Sequence, residues 1–141
     1  MPPAVDPAVL QTVPHRAPIL RVHELVRHDE ATAWVRGCEP TGPGALPWFA
    51  GAIEGLAQSA AVLLAHGAAD AAGAGPRRGM LVAVKRFTVD AAPPPGATID
   101  YHVRLVRRLG PNALVAGHAE VDGVRCAAGE LTLWLAGMEL R

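Results

Sequence analysis

WFAGAIEGLAQSAAVLLAH, residues 48–66, carries one charged side chain, Glu54, among small and apolar residues. Across the wider window 40–69, Glu54 is still the only Asp, Glu, Lys or Arg. Ile53, Leu56, Ala57, Ala60 and Leu64 recur at helical spacing and make one apolar stripe, so the segment is predicted to be a helix. A helix with an apolar stripe must bury it, and the rest of the chain offers strands to cover it. The stretch approaches membrane-spanning length, but Glu54 and Gln58 are costly in lipid, which favours a buried helix and no membrane association.

The flanking sequence supplies that cover. Residues 19–28 alternate loosely as a strand, His28-Asp29-Glu30 turns, and residues 31–38 return as a second strand. EPTGPGALP (39–47) is a loop by its Pro and Gly content. After the helix and the glycine-rich segment 66–79 come strands at 79–89, 98–108, 113–121 and 124–137. Asp122-Gly123 is a two-residue hairpin signal between the last two. Residues 1–18, rich in proline, allow at most a short helical turn at 7–12. The expected architecture is α+β: a curled antiparallel sheet of about six strands wrapped around one long central helix, known as the hotdog fold. Its exposed edges predict pairing across a dimer axis, hence a homodimer.

Composition bounds the function. The 141 residues fit one domain, 1–141, with 50% hydrophobic and 18% charged residues and zero formal net charge, which speaks against nucleic-acid binding. Charge is unevenly placed: segment 77–108 carries seven basic and two acidic residues. Cys38 and Cys126 form no disulfide framework and read as small buried residues. The histidines follow no recognised ligand spacing, so no metal and no cofactor is expected. The N-terminus lacks the pattern of a secretory signal, and a soluble, cytoplasmic location is expected.

Gly51, Glu54 and Gln58 stand at i, i+3 and i+7, beside the apolar stripe. A carboxyl there either points into water or is desolvated, which favours its protonated form and suits it to hand a proton to a leaving group. Gly51, near the helix N-terminus, either leaves backbone N–H groups open to a carbonyl gaining negative charge or merely permits tight packing.

Three stretches resemble the bacterial 3-hydroxyacyl-(acyl carrier protein) dehydratases, and more closely their relatives in aryl-polyene-type pathways. VPHRAPILRVHEL (13–25) is similar to that family's opening. LPWFAGAIEGLAQSAAVL (46–63) resembles its helix start, with one residue fewer between glycine and glutamate. AVKRFTVDAAPPPGATIDYHV (83–103) resembles its strand, proline-rich turn and sequel. The resemblance implies dehydration of a 3-hydroxyacyl thioester to a trans-2-enoyl thioester in fatty-acid or polyene-type biosynthesis. Glu54 would be the helix carboxyl, Gly51 part of the carbonyl site, and Gln58 a group positioning Glu54 or its water. The family's catalytic histidine lies in a G-H-F-P-G motif, and that place here falls at Pro40. His15 is the substitute base, with His23 a weaker one. His28, His66, His102 and His118 read as turn, helix-end or solvated positions without a role. Trp48 and Phe49 line an acyl tunnel or simply pack. Arg77, Arg78, Lys85 and Arg86 would meet an acidic carrier protein and its phosphopantetheine phosphate, or lie free in solvent. The missing histidine keeps two alternatives open: an acyl thioesterase on carrier- or CoA-linked substrates, and a degenerate subunit pairing with an active dehydratase in a heterodimer.

Overall fold

The structure, a computed structural model, describes residues 4–10, 12–13, 19–66 and 79–135. Along the chain these form α1 (Pro7–Leu10), β1 (Val22–His28), β2 (Thr32–Cys38), α2 (Trp48–His66), β3 (Gly79–Val89), β4 (Thr98–Leu109), β5 (Asn112–Val121) and β6 (Val124–Leu135). The six strands build one antiparallel sheet in the order β1-β2-β4-β5-β6-β3. Strands β4, β5 and β6 are the expected meander. Asp122 and Gly123 both have positive φ, 51° and 78°, as a two-residue hairpin turn of the I′ kind requires. The chain leaves β2, runs along α2 beneath the sheet and returns at the opposite edge as β3.

The inner face of the sheet is lined by alternate residues: Val35 on β2, Ile99, Tyr101 and Val103 on β4, Val115 on β5, Leu131 and Leu133 on β6. Against them pack Ala52, Leu56, Ala60 and Leu63 of α2, all buried. Each large side chain taken out of water contributes about 1.5–3 kcal/mol, so this interface holds the domain together. The helix is long and apolar enough to cross a bilayer by length and composition, yet 56% of that window is buried inside the fold.

Two expectations need correction. Of the predicted apolar stripe, Leu56, Ala60 and Leu64 are buried, but Ile53 and Ala57 are only half-buried. The covered surface is broader and turned toward Gly51, Ala52, Gly55, Ser59 and Leu63, because the sheet curls around the helix rather than lying flat on one stripe. Small residues admit that approach: the Ser59 hydroxyl turns back onto the Gly55 carbonyl at 2.7 Å, and a side chain on Gly55 would run into the Tyr101 ring. The alternation expected along β1 is also broken, with register shifts between Val22 and Glu24 and between Leu25 and Arg27. Such bulges bend an edge strand and re-aim its side chains.

Gly55→Ala tests the close packing of α2 on β4. The methyl gains about 1 kcal/mol of helix propensity, but overpacking against a fully buried ring costs about 1–3 kcal/mol. The expected outcome is a lower melting temperature on thermal denaturation; an unchanged or higher one contradicts the packing.

Candidate functional site

Gln58 is 2% exposed and uses both ends of its amide. Its Oε1 accepts the backbone N–H of Arg21 at 2.8 Å. Its Nε2 donates to the Ile19 carbonyl at 2.9 Å and to Glu54 Oε1 at 3.1 Å. A buried amide left unsatisfied is costly, so these bonds tie the segment entering β1 to the middle of α2. Gln58 thereby also tethers Oε1 of the Glu54 carboxyl, one helical turn earlier. Glu54 itself is half-buried, neither sealed in the core nor free in bulk water.

Under the first turn of α2 lies an ion pair that the charge pattern did not announce. Arg21, 3% exposed, donates from Nη2 to Oε2 of Glu39 in the loop after β2. The guanidinium lies 5.9 Å from the centre of the Trp48 ring. A Cβ on Gly51 would sit 2.7 Å from Arg21 Nη1, so glycine makes room for the cation. Tyr101 closes the far side; burial pushes its phenol up to about 12 although Arg21 pulls the other way, so it stays a neutral hydroxyl. Arg21 Nε and the Tyr101 hydroxyl have no hydrogen-bond partner among the described residues. A buried charge pair of this kind is costly to break from either side.

This geometry reassigns Gly51. Its N–H already bonds the Pro47 carbonyl at 2.8 Å, and its open side faces Arg21 rather than a cavity. The packing alternative therefore describes Gly51, and the donors free by helix geometry are those of residues 48–50. The two aromatics at the helix start diverge. Trp48 turns inward, its indole N–H 3.4 Å from the Cys126 carbonyl, whereas Phe49 is 54% exposed and meets Phe87 edge-on at 5.4 Å. Pro40, where the resemblance places that family's histidine, follows Glu39 in the loop, and the loop contributes a buried carboxylate holding Arg21. His15, Arg77 and Arg78 lie outside the described residues. His23 is half-buried on β1, and burial lowers its pKa, with Arg36 reinforcing the effect against Glu24. Lys85 and Arg86 are exposed on β3, Arg86 reaching Glu130 at 3.2 Å. Arg21 and Glu39 escaped sequence reading because each stands beside polar or strand-like neighbours. Their only signal was Glu39's place as the last charge before the apolar window.

No family model matches the chain. Two sequence relatives are named 3-hydroxyacyl-[acyl-carrier-protein] dehydratase FabZ. The one from Solibacter usitatus is 29% identical over 136 residues, covering 90% of this chain and 82% of the relative. The one from Methylobacterium nodulans is 29% identical over 134 residues, covering 87% and 83%. The chain resembles the 3-hydroxyacyl-[acyl-carrier-protein] dehydratases. Solved structures show the same hotdog fold. The dehydratase heterocomplex ApeI:P from Xenorhabdus doucetiae superimposes with a TM-score of 0.77 at 20% identity, covering 92% of this chain and 91% of that one. A hypothetical thioesterase with coenzyme A from Streptococcus pneumoniae TIGR4 gives 0.58 at 10% identity, covering 83% and 88%.

Glu39→Ala leaves the Arg21 cation buried without its carboxylate, which costs about 3–5 kcal/mol. Denaturant unfolding should show the midpoint fall with unchanged m-value. A variant as stable as the parent would mean that the pair contributes nothing.

Proposed function

We propose that the chain is a dehydratase-like hydro-lyase acting on 3-hydroxyacyl thioesters borne by acyl carrier protein or coenzyme A. The observation that carries this reading is the pinning of Glu54 by the buried Gln58 amide beside the start of an apolar helix, in a chain whose curated relatives are named as such dehydratases. In the reaction a base takes the α-proton, the C–H electrons form the double bond, and the C3–O bond breaks. The hydroxyl leaves as water with a proton from the Glu54 carboxyl. Free N–H groups of residues 48–50 polarise the thioester carbonyl, and His15 is the base. Phe49 flanks the acyl chain at the mouth of the site. Lys85 and Arg86, exposed on β3, receive the carrier, with Arg77 and Arg78 as further carrier contacts.

Pairing with another hotdog chain belongs to the same proposal. Strand β3 is a sheet edge that exposes Met80 at 62% and Val82 at 57%, an apolar rim that a second edge strand would cover. The partner is a second copy or, as in the dehydratase heterocomplex, a different chain. A second reading draws on Pro40: without the family's loop histidine, Glu54 would activate water and the chain would be a thioesterase.

Incubation with a 3-hydroxyacyl or crotonyl thioester separates these readings. Interconversion of enoyl and hydroxyacyl forms supports the dehydratase, release of free thiol supports the thioesterase, and turnover only with a second hotdog chain supports the paired subunit. Glu54→Gln should lower turnover by about 10²–10⁴-fold without changing the melting temperature. Retained turnover in that variant removes Glu54 from the site.

A further inference from the structure

The sheet face turned away from α2 carries a second cluster, unconnected with Glu54. His102 lies between buried Tyr101 and Val103, so the alternation of β4 sends its ring to the outer face. In the ladder Trp34 is opposite His102, and His102 is opposite His118. The three rings stack across β2, β4 and β5, with centroids 5.7 Å and then 4.9 Å apart and planes within 23° and 19°. Glu120, two residues beyond His118, projects from the same face of β5. Its Oε1 is 2.9 Å from His118 Nε2 and its Oε2 is 3.7 Å from His102 Nε2. One donor atom from each of the three residues lies within 4.8 Å of the others, and all three residues are half-buried.

We propose that His102, His118 and Glu120 form a binding site for a divalent transition metal of the zinc class. Two imidazoles and one carboxylate are a familiar zinc ligand set, with metal–ligand distances of about 2.0–2.2 Å that place tetrahedral donors about 3.3 Å apart. The two contacts of Glu120, one shorter and one longer, bracket that separation. The Nε2 lone pairs lie in the planes of the stacked rings, so a shared metal requires the imidazoles to tilt out of their near-parallel stack toward Glu120. The metal takes the place of the hydrogen between His118 Nε2 and Glu120, and the neutral ring then carries its single proton on Nδ1.

Both histidines line an open cleft of about 670 Å³, which Arg27, Arg86, Arg104, Arg125 and Glu130 also line. Those cations oppose a bare metal ion and favour an anionic fourth ligand, a carboxylate or phosphate oxygen. Spacing along the chain hides this set. His102 and His118 are brought together only by the register of β4 on β5, which is why a search for ligand motifs, and the expectation of no metal, passed over it.

The test uses the full chain stripped with chelator and titrated with ZnCl₂ by calorimetry, and with Co²⁺ by visible absorption. The expected result is one equivalent of zinc per chain and an intense Co²⁺ band of low coordination number. His102→Ala, His118→Asn and Glu120→Gln should each weaken zinc binding at least about tenfold, a loss that removal of even an outer partner typically causes. Circular dichroism should show each variant folded, and exposed His28→Asn should bind as the parent does. Glu54→Gln should also bind unchanged, which separates this site from the catalytic reading. Absence of zinc uptake, only weak hexaaqua-like Co²⁺ bands, or undiminished binding in the folded His102 and His118 variants would overturn the proposal.

Discussion

Covering an apolar helix on most of its circumference is the constraint from which the rest of this structure follows. Helix α2 has too few polar residues to lie on a surface, and the sheet must curl until its inner face meets the helix. Close approach then selects small residues at the crossing, Gly55 and Ser59 among them, and lets Tyr101 lie directly against the helix backbone. The bulges of β1 and the irregular register of β3 bend the two outer strands of that curl.

Polar groups inside such an enclosure are costly unless they are paired, and two devices pair several of them along the first half of α2. Gln58 spends its amide on the chain entering β1 and on Glu54. Arg21 and Glu39 neutralise each other beneath Gly51 and Trp48. Removing either device leaves an unsatisfied buried group, which is why the carboxyl of Glu54 is held by the same interactions that hold the strand to the helix. One residue, Gln58, therefore serves both the fold and the placement of the carboxyl.

The outer face follows other rules. There the sheet is half-solvated, and cross-strand neighbours rather than the core determine which side chains meet. Trp34, His102 and His118 are ordinary strand residues singly; the ladder makes them one stacked row ending beside Glu120.

Period and punctuation in the chain were enough for the element order, the helix boundaries and the meander, because apolar spacing and turn residues act over a few positions. They also singled out Glu54 and Gln58 as polar residues on an apolar helix. They could not reveal that Ile53 and Ala57 are only half-covered, that Gly51 shelters a guanidinium, or that Arg21 points inward to Glu39. Nor could they bring His102 to His118. Each of these depends on how far the sheet curls and in which register its strands pair, and the energies that settle those questions come from residues distant in sequence. The chain alone determined which segments are helix and strand; the folded sheet decided which side chains became neighbours.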